Sequence, residues 1–152
     1  MASINFSAPN LTQHPPRSPR VRLGGYVILA RCLDKGRATL AGKNGEYHYA
    51  CPLDDHWFTF AGIKPAALKK QLAAGKGDGA ILEWIEANST TKPTPSQIAQ
   101  WSAYHEPRGP MGLEAREYFN GLLAKAGKKR EDIVGWFDLL DLDDYVSFGG
   151  KA

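Results

Sequence analysis

One stretch, at residues 26–40, reads Tyr26-Val27-Ile28-Leu29-Ala30-Arg31-Cys32-Leu33-Asp34-Lys35-Gly36-Arg37-Ala38-Thr39-Leu40. An α-helix over this stretch would collect five apolar side chains on one face: Ile28, Leu29, Cys32, Leu33 and Leu40. Such a helix has to tolerate Gly36. A parallel strand over Tyr26–Leu29 is the alternative. The length of the pattern favours the helix, so the segment predicts a helical core element.

Beyond residue 64 the sequence is patterned for helices. The clearest start signal is Thr94-Pro95-Ser96-Gln97, a capping box with proline at the first helical position. Pro65 also suits a first helical turn, and Asp78 is a candidate N-cap. Stop signals follow three of the apolar patterns, at Gly75, Pro107 and Gly127. A further helix is predicted over residues 113–126, and a last one opening at Glu131 and Asp132.

The segment between the first helix and residue 53 has a different character. Gly42-Lys43-Asn44-Gly45 is a turn signal, and Glu46–Pro52 is short, rich in aromatic residues and closed by a proline. This pattern is compatible with a small β-hairpin near Tyr47.

The first 22 residues are predicted to form an extended arm. Pro15, Pro16 and Pro19 fix their own φ angles and push their predecessors toward extended geometry. Together the patterns predict a mostly α, single-domain, bundle-like fold over residues 23–152, preceded by the arm over residues 1–22.

The charges of the chain are distributed unevenly. The net charge is only +3, but residues 1–50 hold seven basic residues against two acidic ones. Residues 131–152 hold six acidic residues against one basic residue. We therefore expect the arm to contact the acidic C-terminal stretch, either within one chain or across a homo-oligomer.

Composition excludes several classes of protein. An apolar content of 43% with 23% charged residues is that of a globular domain. The start of the chain lacks an apolar core for a signal peptide, and no apolar run approaches the roughly 20 residues that span a membrane. We therefore predict a cytoplasmic protein with no membrane partner. A net charge this small also argues against a nucleic-acid partner.

Reactive residue types are densest around Cys51. Cys51, His48 and Asp54 are candidates for a thiol nucleophile, its base and an orienting carboxylate. No motif specific to cysteine hydrolases surrounds Cys51, and the alternative is a cysteine that serves as a small apolar residue.

A metal or cofactor is not predicted. The set Cys32, His48, Cys51 and His56 lacks the paired spacing of a structural zinc site. The aspartates of residues 138–144 do not follow the spacing of an EF-hand loop. Both cysteines are expected to remain reduced thiols.

The arginines of the arm suggest binding of a small anion. Arg17, Arg20 and Arg22 precede a glycine pair and a predicted helix start, and with Tyr47 and His48 they form the candidate ligand-binding set. Three functions remain open: binding of, or action on, a small anionic metabolite through the arm; assembly through docking of the arm; and cysteine-based catalysis by Cys51.

Several short motifs resemble those of one uncharacterised family. They are Pro15-Pro16-Arg17-Ser18-Pro19-Arg20, Leu23-Gly24-Gly25-Tyr26, Leu33-Asp34-Lys35-Gly36-Arg37-Ala38, Cys51-Pro52-Leu53-Asp54 and Trp136-Phe137-Asp138-Leu139-Leu140-Asp141. The chain resembles the bacterial domain-of-unknown-function family 5069 from Leu11 onward. This resemblance implies a stand-alone bacterial domain and assigns no site residue.

Overall fold

The computed structural model describes residues 7–127 and 129–152. These residues form seven α-helices: α1 Leu29–Leu40, α2 Pro52–Ala61, α3 Pro65–Ala73, α4 Asp78–Asn88, α5 Pro95–His105, α6 Leu113–Ala126 and α7 Trp136–Ser147. The prediction of a mostly helical single domain is confirmed. None of the helices in the described ranges is long and apolar enough to cross a membrane.

α1 lies at the centre of the fold. Its residues from Leu29 to Ala38 are all buried, and the helix packs against α2 and α3. Gly36 is required for this packing, because a Cβ atom there would lie 2.6 Å from Cδ1 of Leu72 and 3.1 Å from the ring of Tyr49. The predicted helix therefore includes Gly36 because α3 and the loop before α2 approach closely at that position.

The alternative of a strand over residues 26–29 is wrong. Ile28 has a positive φ of 73°, and the Leu29 amide donates to the Val27 carbonyl at 2.8 Å. Together they form a tight turn directly before α1. A β-branched residue rarely takes this backbone geometry, and here complete burial of Ile28 holds it in place.

α1 also buries four charged side chains, and each is paired with a residue from another part of the chain. Arg31 binds Asp144 of α7 at 2.7 Å, and Lys35 binds Asp54 of α2 at 2.8 Å. The other two pairs join Asp34 to Arg17 of the arm at 3.0 Å and Arg37 to Asp78 of α4 at 2.8 Å. Because a buried charge without a partner is strongly unfavourable, these pairs fix the positions of four elements around α1.

The small β-hairpin near Tyr47 is absent from the described residues, which contain only an isolated bridge between Leu23 and Tyr26. Residues 41–50 form successive turns, and Ala50 has a φ of 58°. The tyrosine hydroxyls donate to helical elements, Tyr47 to Asp144 and Tyr49 to the Pro65 carbonyl, both at 2.8 Å. The aromatic residues that suggested a strand therefore anchor a loop.

The predicted helix boundaries agree at some positions and differ at others. The capping box of α5 is present, since the Gln97 amide donates to Thr94 Oγ1 at 3.2 Å and the Gln97 side chain accepts from the Thr94 amide at 2.8 Å. The N-cap residue of α4 is Gly77, and Asp78, the predicted N-cap, is instead the first residue of the helix. α7 begins at Trp136, five residues later than predicted, with Gly135 as its N-cap residue, and the Trp136 amide donates to the Arg108 carbonyl at 2.9 Å.

The arm lies against the helices from Ser7 onward, and its first six residues are outside the described ranges. Leu11 is 1% exposed, and its amide donates to the Lys43 carbonyl at 2.8 Å. The Pro19 carbonyl accepts from the Ile28 amide at 2.9 Å. The arm is not extended throughout, because residues 10–14 form a turn, and apolar contacts hold it to the domain together with its charges.

The buried pair between Arg31 and Asp144 gives a stability prediction. Asp144→Asn leaves the Arg31 guanidinium buried without a counter-charge, and we expect a loss of about 3–5 kcal/mol in the free energy of unfolding. Urea denaturation measures this loss. Asp132→Asn is the matched control, because it removes a carboxylate from an exposed arginine pair and should leave the midpoint unchanged. Equal effects of the two substitutions would contradict the structural role of the buried pair.

Candidate functional site

A cleft of about 620 Å³ opens between the arm, the loop before α2 and the helices α1, α6 and α7. We call it the thiol cleft, because Cys51 lies in its wall. Three other polar residues of the wall bear on its chemistry: Lys35, Tyr47 and His48. The predicted candidates Cys51, Tyr47 and His48 are therefore brought together, although they belong to a loop and not to a hairpin.

Cys51 is the N-cap residue of α2 and is half-buried. Its Sγ atom lies 3.1 Å from Nζ of Lys35, close enough for a hydrogen bond. Its backbone amide donates to Oδ2 of Asp54 at 3.3 Å, in a capping box that starts the helix. The thiol is therefore placed beside an ammonium group and at the positive end of a helix.

Lys35 is held in this position by Asp54. The Lys35 side chain is 4% exposed, and its Nζ atom lies 2.8 Å from Oδ2 of the fully buried Asp54. Burial lowers the pKa of Lys35, but the Asp54 carboxylate and the Cys51 sulfur raise it by more, so the ammonium form is favoured. Asp54 thus orients Lys35. The sequence analysis had expected it to orient His48 instead.

His48 is exposed and lines the cleft, but in the described part of the chain no hydrogen bond joins it to Cys51. Lys35 occupies the place beside the thiol that the sequence analysis gave to a histidine. The signal for Lys35 was its position on a predicted core helix, where a charged side chain needs a buried partner. Because Lys35 lies far from Cys51 along the chain, the sequence does not indicate the contact between them.

The second cysteine has a different environment. Cys32 and Cys51 are both free thiols, and Cys32 is completely buried on α1. Burial raises the pKa of Cys32 well above its ordinary value, and the Asp54 carboxylate raises it further. Cys32 is consequently an unreactive thiol close to the cleft and serves as an internal reference for Cys51.

Tyr47 closes one side of the cleft. Its hydroxyl donates to Asp144, and the Arg31 guanidinium lies 5.4 Å from the centre of its ring. Burial, followed by the hydrogen bond to Asp144, raises the pKa of Tyr47 above its ordinary range. Tyr47 therefore stays a neutral phenol, and its contacts are structural as well as cleft-forming.

The three arginines of the arm all bind carboxylates of the same chain. Arg17 binds Asp34 at 3.0 Å and Asp78 at 2.8 Å. Arg20 binds Asp138, and Asp141 at 3.0 Å, while Arg22 binds Glu106 at 2.9 Å. The expected contact between arm and acidic stretch is thus made by Arg20. Arg17 and Arg22 bind carboxylates outside that stretch, and Arg31 of α1 binds Asp144 within it.

A second cavity, of about 410 Å³, adjoins the thiol cleft and shares Cys51, Leu53, Tyr118, Leu140 and Asp143 with it. We call it the side cavity. His56 and Arg108 lie in its wall, and the ring of His56 is 5.1 Å from that of the buried His105. Burial, then His56 and Arg108, lowers the pKa of His105 to about 4. Burial and Arg108 also lower the pKa of His56.

Residues 7–127 and 129–152 contain no group of three or more histidine, cysteine or acidic side chains arranged to hold a metal ion. The reactive side chains in the walls of the two cavities include the Cys51 thiol, the Lys35 ammonium, His48, His56 and the Arg108 guanidinium.

Comparison with known proteins assigns the family. The model of a domain of unknown function, DUF5069, matches residues 13–146. The chain belongs to this family, and the match spans every residue of the thiol cleft and side cavity except Leu11, Thr12, Ser147 and Phe148. No curated protein matches the chain.

His105 gives a prediction for the dependence of stability on pH. The unfolded chain protonates this histidine near its ordinary pKa of 6.5, whereas the folded chain does so only near 4. Folding therefore becomes less favourable as the pH falls from about 6.5 to about 4. We expect His105→Gln to flatten this part of the curve of unfolding free energy against pH. The exposed His48→Gln is the control, and it should keep the slope of the parent chain.

Proposed function

We propose that this protein is an enzyme that acts on a small molecule in the thiol cleft, with Cys51 as its nucleophile. The observation that carries the proposal is the 3.1 Å contact between Cys51 Sγ and Lys35 Nζ at the N-terminus of α2. Cysteines beside a lysine or at a helix N-terminus are the ones that react as thiolates in proteins. A partly open thiol with both features lies in the wall of a cavity large enough for a metabolite.

Each neighbouring group has a role in this proposal. Lys35 holds an ammonium group against the sulfur at 3.1 Å, and Asp54 keeps Lys35 charged and oriented. His48 lines the same cleft and is our candidate for moving a proton during the reaction. Tyr47 contributes an apolar ring face to the bound molecule.

Alkylation rates test the proposal. Cys32→Ser leaves Cys51 as the only thiol, and Cys51→Ser leaves Cys32. At neutral pH we expect iodoacetamide to modify Cys51 at least about tenfold faster than Cys32, measured by intact mass. The double substitution Lys35→Gln with Asp54→Asn removes both charges while keeping side-chain size, and it should slow Cys51. Equal and slow labelling of the two cysteines would end the nucleophile proposal.

Binding of a small anion by the arm has less support than Cys51 chemistry. An anion at Arg17, Arg20 or Arg22 would have to displace a carboxylate of the chain itself. The same pairs support a second candidate function, in which the arm is an interaction element that docks on the acidic regions of its own domain. Exchange of this arm between two copies would give a homo-oligomer with the same contacts.

Limited proteolysis tests the docking of the arm. Arg17→Met leaves the buried Asp34 without its partner, so we expect faster cleavage before Gly24 with the helical circular dichroism retained. Arg22→Met removes only an exposed pair and should leave the cleavage rate unchanged. Sedimentation of the same variants reports any oligomer. Equal cleavage of both variants and the parent chain would exclude arginine-dependent docking.

A further inference from the structure

The side cavity differs from the thiol cleft in the chemistry of its wall. Most of its lining comes from the apolar faces of α6 and α7, including Leu122, Trp136 and Leu139. Tyr118 and Leu140 stand between it and the thiol cleft and belong to both. A molecule in the side cavity would therefore have an apolar body and would reach Cys51, which both cavities expose.

Arg108 is the cation in the wall of the side cavity. Its side chain makes no hydrogen bond or ion pair with any described residue, and its Nε atom is buried without a partner. Other arginines that are buried or half-buried in the described ranges, such as Arg17, Arg31 and Arg37, each bind a carboxylate. A half-buried guanidinium whose Nε atom has no partner is unfavourable, and an anion that enters the cavity would supply the missing interaction.

The position of Arg108 is fixed by the backbone. Its carbonyl accepts a hydrogen bond from the Trp136 amide at 2.9 Å, which joins the segment after α5 to the start of α7. Its own amide donates to the His105 carbonyl at 3.3 Å. The guanidinium is therefore presented by a segment held at both ends, which reduces the entropy lost when it binds a ligand.

Besides Cys51 and Tyr118, two other titratable groups line the cavity. His56 has a lowered pKa because of burial and the nearby Arg108, so its ring is neutral at physiological pH and can donate one hydrogen bond. Asp143 lies at the border with the thiol cleft, and burial, then Asp144, raises its pKa. Among the described residues Asp143 makes no ion pair with Arg108, whose Nε atom has no hydrogen-bond partner, so the guanidinium remains available to an external anion.

We propose that the side cavity is the binding site for an organic carboxylate with an aromatic or aliphatic body. Its carboxylate binds Arg108, with His56 as a second donor, and its apolar body packs among Leu122, Trp136 and Leu139. The far end of the molecule faces Cys51. This inference rests on the proposed function only for the statement that Cys51 reacts with the bound molecule; anion binding at Arg108 stands independently.

Benzoate is the probe, and benzamide is its neutral counterpart of the same shape. In a ¹H–¹⁵N NMR titration of the full chain we expect benzoate to shift resonances of residues around Arg108, Trp136 and Leu139. Arg108→Met should weaken the binding of benzoate at least about tenfold and leave the binding of benzamide unchanged, since a charged hydrogen bond is lost. Arg116→Met, an exposed arginine outside the cavity, is the matched control and should bind benzoate like the parent chain.

Thermal unfolding provides a second measurement that does not use the NMR titration. Because Arg108 has no counter-charge to leave behind, Arg108→Met should not lower the thermal midpoint, and benzoate should raise the midpoint of the parent chain only. Equal binding of benzoate and benzamide, unchanged benzoate binding in Arg108→Met, or shifts confined to the arm arginines would overturn the proposal.

The same probes separate this inference from the proposed function. Benzoate should still bind Cys51→Ser, and saturating benzoate should slow alkylation of Cys51 in the Cys32→Ser chain. Benzoate binding with an unreactive Cys51 would retain the carboxylate site and reject the nucleophile. A reactive Cys51 with no benzoate binding would retain the nucleophile and reject the carboxylate site.

Discussion

The fold depends on the burial of charge in its central helix. α1 carries Arg31, Asp34, Lys35 and Arg37 at positions that are as enclosed as its leucines. An enclosed charge is tolerated only with a partner of opposite sign, so the surrounding elements have to supply one each. The arm, α2, α4 and α7 do so. Apolar packing around Leu33 and Trp57 provides the driving force, while these ion pairs specify which element lies on which side of α1.

One of these pairs also shapes the candidate site. Lys35 and Asp54 form a structural contact between α1 and α2, and the same ammonium faces the sulfur of Cys51. The site therefore needs no separate support, because the contact that positions α2 also positions Cys51, its N-cap residue. The loop before α2 completes the arrangement, since its two tyrosines bond to α7 and to the start of α3.

Local signals in the sequence were reliable where local chemistry decides the structure. The capping box at Thr94 and the stop at Gly127 depend on residues a few positions apart. The hairpin near Tyr47 failed because the same aromatic pattern serves an anchored loop. The partner of Cys51 was missed because Lys35 lies on a different helix, and proximity between elements leaves no trace in spacing. Arg108 was missed for the same reason: its isolation is visible only once its neighbours are known.

The pair between Arg31 and Asp144 joins positions 113 residues apart. During synthesis the N-terminal half of the chain leaves the ribosome long before α7 exists, so the central helix is exposed with one of its cations unpaired. Helical proteins usually fold fast because their contacts are local, but this one closes a loop across most of the domain. We therefore expect the domain to reach its final form only after translation of α7, as one cooperative unit and not helix by helix.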